Sequence, residues 1–394
     1  MIRIVLALCA AEVLTMAGMF AFPALLPEFT ASWGLSATEA GWISGITFAG
    51  YAVAVPLLSA LTDRVDARRV FLAGIAVAGL AALGFGLAAE GFWSAMLFRA
   101  LGGVGLAGTY MPGLKALVDR TSGPSQPHWM SWYTASFSLG TSASFLFAGW
   151  AADAFGWRAA FVLSAVACLG GIALVVAIVR PVTPPPAPRA ALLDLRPAFA
   201  NRPVMGYVLG YAAHMWELFG LRSWMVAYLA FALSLAPAAR GPSPTTAAML
   251  SSLVAMAASI GGASLAIRFG RRRLCILSAL ASAATALVLG FAAPLPYLAV
   301  VFLMVAYNGL VQLDSASLTT GAVLEADPGR RGATIAVHSL IGFGAAFVGP
   351  LAFGRVLDAA GGTGSVMGWG LAFASLGLVS ALGPIALRRL VPGR

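Results

Sequence analysis

Charge is what this sequence has least of. Only 10% of its 394 residues are Asp, Glu, Lys or Arg, against about a quarter in a typical soluble domain. Too few ionisable side chains exist to coat a water-exposed surface, which excludes a soluble enzyme and a disordered scaffold. Cysteine is equally sparse. Cys9, Cys168 and Cys275 lie singly in apolar runs, so they read as small buried hydrophobes and not as a disulfide framework. The three histidines, His128, His214 and His338, fall on separate segments, and no metal centre is expected. Long hydrophilic stretches are missing too, which leaves no length for a soluble domain once the apolar runs are counted.

What is present is apolar sequence: 60% of residues are hydrophobic and the mean hydropathy is +0.90. A segment crossing a bilayer must satisfy its own backbone hydrogen bonds, so these runs are expected to be helices. The runs lack alternation and are too long for barrel strands, which sets a closed sheet aside. Twelve spans are predicted, at about 4–27, 41–61, 70–89, 92–117, 129–150, 159–179, 204–231, 247–267, 274–293, 298–322, 333–354 and 367–387. The first is read as an uncleaved helix and not a signal peptide. The fold class is therefore an all-α polytopic membrane protein.

The net charge is +10, and the basic residues sit in short clusters between spans, which reads as topogenic charge and not as a nucleic-acid footprint. With the N-terminus cytoplasmic, 19 of the 24 Lys and Arg residues fall on that side. Arg158, Arg240 and Arg355 fall on the other, and Arg99 and Arg222 lie within spans. This asymmetry predicts that both termini are cytoplasmic, in a bacterial-type inner membrane. The one long connection, 180–203, is rich in Pro and Arg and is expected to be a cytoplasmic linker. It separates residues 1–179 from 204–394, six spans each.

The halves echo one another. Gly156-Trp-Arg-Ala-Ala-Phe161 opens the sixth span and Gly368-Trp-Gly-Leu-Ala-Phe373 the twelfth. Gly149-x3-Asp153 ends the fifth and Gly354-x3-Asp358 the eleventh. Leu61-Thr-Asp-Arg64 followed by Arg68-Arg69 corresponds to Leu265-Ala-Ile-Arg268 followed by Arg271-Arg272-Arg273. A duplicated six-helix unit predicts two pseudo-symmetric bundles, with a substrate site at mid-membrane between them.

With these segments in view, the sequence resembles the major facilitator superfamily over essentially its whole length. Leu61, Asp63, Arg64 and Arg68 match that family's G-x-L-x-D-R-x-G-R-[KR] loop signature, while Ser59 and Asp66 stand where it has glycines. Arg99-Ala-Leu-Gly-Gly103-Val-Gly105 is similar to its R-x-x-x-G-x-G in span four. Gly140-Thr-Ser-Ala-Ser144-Phe145 departs from the G-x-x-x-G-P of many drug–proton antiporters. No arginine occurs in 41–61 or 247–267, unlike the nitrate porters, and no sugar-porter P-E-S-P-R motif follows span six. The resemblance implies alternating access by two rocking bundles. It also implies a cytoplasmic gate at Asp63, Arg64 and Arg68, asymmetric because Ile267 stands at the aspartate's place in the second copy.

Charges inside a membrane are costly, so they tend to face cavities or partners. Glu12, Arg99, Glu217, Arg222 and Asp314 fall on spans one, four, seven and ten, which line the central cavity in the resembled family. His214 shares a helix face with Glu217 at i, i+3, and Tyr211 lies nearby. Asn308 in span ten and Tyr133 in span five complete the candidate cavity. Proton coupling through Glu12, Glu217 with His214, or Asp314 is expected. Arg99 and Arg222 point to a small polar solute, including an organic or inorganic anion. Efflux of amphipathic compounds is the alternative, weakened by the missing span-five signature. A transporter-like sensor and a membrane-embedded enzyme are more remote. The expected partners are the bilayer, the solute and protons, in a monomer without cofactor or nucleic acid.

Overall fold

Apolar runs that must close their own hydrogen bonds become helices, and the described residues contain no strand. The computed structural model describes residues 1–183, 195–328 and 330–392. Residues 184–194 of the expected linker, Arg189 among them, and the terminal Arg394 lie outside that set.

The first span is not one helix. It consists of α1 (Ile2–Thr15), a 3-10 turn (Met16–Gly18), α2 (Ala21–Ala24) and α3 (Leu26–Trp33). Spans two to six are α4 (Ala37–Leu61), α5 (Ala67–Ala88), α6 (Phe92–Val118), α7 (Gln126–Phe155) and α8 (Trp157–Ile178). The short α9 (Arg196–Ala200) precedes α10 (Arg202–Ser234), α11 (Pro244–Phe269) and α12 (Arg271–Gly290). Span ten is divided into α13 (Tyr297–Gln312) and α14 (Ser315–Leu324). After α15 (Arg331–Ala359), span twelve is divided into α16 (Val366–Ser380) and α17 (Gly383–Leu390).

Three expected single helices are thus broken, and two of the breaks have a proline cause. Pro23 cannot donate to the Met19 carbonyl, and Pro384 cannot donate to that of Ser380. At the third break neither Pro nor Gly intervenes. There Gly262 of α11 lies so close to the Leu313 carbonyl that any side chain on it would collide. Among the described residues, eight spans are long and apolar enough to cross a membrane on length and composition alone: α4, α5, α8, α11, α12, α13 with α14, α15, and α16 with α17. The other four expected spans, α1 to α3, α6, α7 and α10, hold Glu12, Arg99, Tyr133, His214, Glu217 and Arg222. The outer surface is apolar: Val53, Leu80, Trp93, Ile267, Phe302 and Leu378 are each at least 68% exposed. That pattern suits lipid as solvent and is untenable in water.

The chain forms two compact units, Met1–Leu25 with Ile46–Leu192, and Leu26–Gly45 with Leu193–Arg394. In the first, α5 packs on α6 and α8, and α1 packs on α7 and α8. Close approach of α5 to α6 is possible because Gly105 faces Ala78 and Gly108 faces Gly74, where a Cβ would strike backbone. In the second unit α10 packs on α15, α12 on α16 and α11 on α13. Trp224, Phe353, Trp369 and Phe373 form an aromatic core there. The second unit also takes in the start of α4. Asp358, at the end of α15, accepts from the Ala37 N–H at 2.9 Å, the Thr38 N–H at 2.7 Å and the Thr38 hydroxyl at 2.6 Å. An acid at a helix N-terminus satisfies orphan N–H groups and complements the helix dipole.

Candidate functional site

Each unit buries one glutamate at the same place in the repeat. Glu12 on α1 and Glu217 on α10 are 205 residues apart, within the offset of the sequence repeat, and are 0% and 1% exposed. Neither lies within ion-pair distance of a described cation; both are held by hydroxyls. The Tyr133 hydroxyl on α7 donates to Glu12 Oε2 at 3.0 Å and reaches the Thr109 carbonyl at 3.1 Å. Ser282 Oγ on α12 donates to Glu217 Oε2 at 2.9 Å and reaches the Ala279 carbonyl at 3.1 Å. Tyr307 on α13 donates to Glu217 Oε1 at 2.9 Å.

A hydroxyl has one proton to donate. Tyr133 and Ser282 each face two acceptors, a carboxyl oxygen and a backbone carbonyl, and can serve only one as donor. When the glutamate is ionised, the hydroxyl donates to it. When the glutamate is protonated, it can donate to the hydroxyl oxygen, which then turns its own proton to the carbonyl. Both protonation states are thus hydrogen-bonded without moving a heavy atom, which matters where an unmet polar group costs about 1–3 kcal/mol.

The expected pairing of His214 with Glu217 is not found. His214 Nδ1 instead lies 2.9 Å from Asp314 Oδ1, close enough for an ion pair but off the hydrogen-bond direction. Helical spacing puts His214 and Glu217 on one face, but Asp314, at the break between α13 and α14, comes closer to the imidazole. Tyr211 stacks on His214 at 5.8 Å and on His338 at 3.8 Å, and His338 Nε2 is 3.2 Å from Thr319 Oγ1. Asn308 donates to Ser251 at 3.0 Å. Several buried atoms at this break make no hydrogen bond among the described residues, including Asp314 Oδ1, His214 Nε2, Gln312 Oε1 and Ser317 Oγ. An interrupted span lined by unmet polar atoms is the usual setting of a transporter's ion or substrate contacts.

Arg99 serves the break in span one. Its Nη1 donates at 2.8 Å to the Met19 carbonyl that Pro23 leaves without an N–H. Ser144 assists, donating to the Ala17 carbonyl at 2.8 Å and accepting from the Phe20 N–H at 3.0 Å. The cavity beside Arg99 is about 50 Å³, enough for water but not for an organic solute. Arg222 is buried with its guanidinium 5.7 Å from the Phe219 ring.

At the loop after span two, Asp63 and Arg64 are exposed, and the Arg68 guanidinium reaches the Val176 carbonyl at 3.5 Å. The residue that organises this loop is Asp66, present in the sequence only as a departure from the signature. Asp66 accepts two bonds from Arg120, at 2.7 and 2.8 Å. It also accepts the Arg68 N–H at 3.0 Å and the Val182 N–H at 2.9 Å. Burial alone would raise this carboxyl, but the Arg120, Val182 and Arg68 hydrogen bonds outweigh it and hold Asp66 below the usual carboxylate range.

The comparisons agree with this architecture. The family profile of the Major Facilitator Superfamily matches residues 8–350. A stretch of 135 residues, 34% of this chain, is 26% identical to a probable sphingolipid transporter, spinster homolog 1 of Arabidopsis thaliana, and covers 27% of it. Another of 100 residues, 25% of this chain, is 37% identical to the uncharacterised MFS-type transporter YfnC of Bacillus subtilis (strain 168), covering 24% of it. These alignments span about a quarter of each curated relative. Among solved structures, a bacterial homologue of the human lysosomal transporter Spinster, in an inward-facing and occupied conformation, aligns with a TM-score of 0.74 at 18% identity. That alignment covers 98% of this chain and 94% of the other. A point mutant of the nucleoside transporter NupG aligns with a TM-score of 0.79 at 13% identity, covering 99% and 100%. At these identities the structural likeness speaks to the fold.

Proposed function

Because the chain belongs to the Major Facilitator Superfamily, and is therefore a membrane transporter and not an enzyme, we propose that it moves a small polar solute by alternating access coupled to protons. The observation that carries the proposal is the matched pair of glutamates, Glu12 and Glu217. Each is buried away from ion-pair cations and held by a hydroxyl that can face either protonation state. An acid in such a setting takes up or gives up a proton without orphaning a buried cation. His214 beside Asp314 at a span break is the third polar centre of this reading. On this reading residues 1–179 and 204–394 are the two bundles, and Asp63, Arg64 and Arg68 close the cytoplasmic side. The protein works as a monomer in a bacterial-type inner membrane with both termini in the cytoplasm.

A second reading of the substrate, an amphipathic compound, is favoured by the relatives named as probable sphingolipid transporters. The small cavity at Arg99 and the aromatic setting of Arg222 also weaken the case for an anion held by those two residues.

Proteoliposomes decide between the parts. With a pH gradient imposed, wild-type protein is expected to accumulate its substrate above equilibrium. Glu12→Gln and Glu217→Gln are expected to retain exchange down a substrate gradient while losing the response to pH. An unchanged pH response in both variants would overturn the proton assignment and leave the transporter family membership intact. Polar metabolites and single-chain lipids, tested side by side, separate the two substrate classes.

A further inference from the structure

The loop that follows span eight is the repeat counterpart of the Asp66 loop, and its charges are left open. Aligning Leu61 with Leu265, Arg64 with Arg268, and Arg68-Arg69 with Arg272-Arg273 puts Gly270 in the place of Asp66 and Arg271 in that of Ala67. One loop therefore holds a carboxylate that closes on an arginine. The other has lost that carboxylate and gained an arginine. Gly270 adopts φ +85°, which a side chain would resist, so the backbone here is built around the absence.

The consequence is a cleft of about 1060 Å³ at the end of the second unit, bounded by the start of α12 and the ends of α14 and α17. Arg271, Arg272, Arg273 and Arg388 line it, with Glu325 as the one acid on its wall. Arg272 is already committed, donating to the Leu387 carbonyl and to the Arg388 carbonyl, each at 3.1 Å. Arg271 is not: its Nε is buried without a hydrogen-bond partner. Glu325 makes no ion pair among the described residues. The mouth of the cleft is apolar, with Leu277 54% and Leu324 59% exposed.

We propose that this cleft binds the phosphate of an anionic phospholipid. Arg271 and Arg273 grip the phosphate, and an acyl chain runs along Leu277 and Leu324. Guanidinium forks match phosphate oxygens in pairs, and the first N–H groups of the 20-residue α12 point to the same place. Anionic lipid is concentrated on the cytoplasmic leaflet, the side to which the arginine asymmetry assigns this loop. The site is separate from the glutamate centres and does not rest on proton coupling.

Native mass spectrometry of the full chain, purified in detergent and given phosphatidylglycerol or phosphatidylcholine, tests the site. Wild-type protein is expected to retain phosphatidylglycerol in preference. Arg271→Ala with Arg273→Ala is expected to weaken that retention about thirtyfold, the effect of removing two surface arginines. Arg272 is left in place because it ties down α17. Arg3→Ala with Arg69→Ala removes the same charge from exposed sites of the first unit and is expected to leave retention unchanged. Arg271→Lys, which keeps the charge but loses the fork, is expected to fall between. Equal retention by the Arg271/Arg273 variant and wild type overturns the proposal, as does equal binding of phosphatidylcholine. If inorganic phosphate at millimolar concentration displaces phosphatidylglycerol completely, the lipid assignment is overturned in favour of a soluble phosphate ligand.

Discussion

Asp66 and Glu217 are both buried carboxylates, 6% and 1% exposed. Their company differs. Asp66 is met by the Arg120 guanidinium and two backbone N–H groups. Glu217 is met by Ser282 and Tyr307, both neutral. Protonating Asp66 would take the counter-charge from a buried arginine side chain. Protonating Glu217 strands nothing, because Ser282 can turn to the Ala279 carbonyl. The contrast separates a carboxylate that holds structure from one free to change its charge, and burial alone would not have told them apart.

The largest expected effect tests the first half of that contrast. Asp66→Ala leaves the Arg120 side chain, 4% exposed, without its carboxylate, with only the Arg180 and Ala116 carbonyls still accepting from it among the described residues. Removing one member of a buried pair costs about 3–5 kcal/mol, and the lower end is expected because the loop borders water. Thermal unfolding in detergent measures it, and a loss under about 1 kcal/mol would break the comparison.

The next effect distinguishes the two glutamates. Glu12 Oε1 is buried with no partner, so Tyr133 is the one hydroxyl donor found for this carboxyl. Tyr133→Phe should cost about 1–3 kcal/mol. Tyr307→Phe should cost about 1 kcal/mol, because the Ser282 hydroxyl still serves Glu217. The reverse order would show that the donor count does not set the cost. Smaller again is the stability effect of Glu217→Gln, expected within about 1 kcal/mol of wild type although the pH response of transport is lost. A large loss of stability in that variant would move Glu217 into the structural class with Asp66.

The residues that carry this contrast were unevenly visible in the sequence. Glu12, Glu217 and Asp314 stood out because charge inside an apolar run is rare and costly. The offset of 205 between Glu12 and Glu217 was also there to be read, since it falls within the repeat's own. Partners were harder. Helical spacing shows which neighbours share a face, so His214 and Glu217 looked paired, but contacts between helices took His214 to Asp314. Breaks were not legible: Pro23 and Pro384 sit at two of them, but Pro56, Pro112 and Pro350 lie inside unbroken helices, and the break at Leu313 depends on how closely Gly262 approaches. Asp66 was hidden by the motif itself. Against a signature with glycine at that position it reads as a mismatch, and only the fold brings Arg120, 54 residues away, to its side.

The smallest effect lies in pH, and its sign follows from Asp66. The folded protein holds this carboxyl below its unfolded value, so ionised Asp66 favours folding. Its contribution is fully present above the unfolded pKa of about 3.9 and is lost as pH falls through the folded one. Wild type and Asp66→Asn should therefore differ by a constant amount from pH 8 to pH 5, because Asp66 stays ionised throughout. The gap should close only below about pH 4. Taking the difference between the two proteins cancels the titration of every other acid they share. A gap that shrinks between pH 7 and pH 5 would mean that Asp66 takes up a proton in the working range. It would then belong with the hydroxyl-held glutamates, and Arg120 would not be the anchor its two short hydrogen bonds make it.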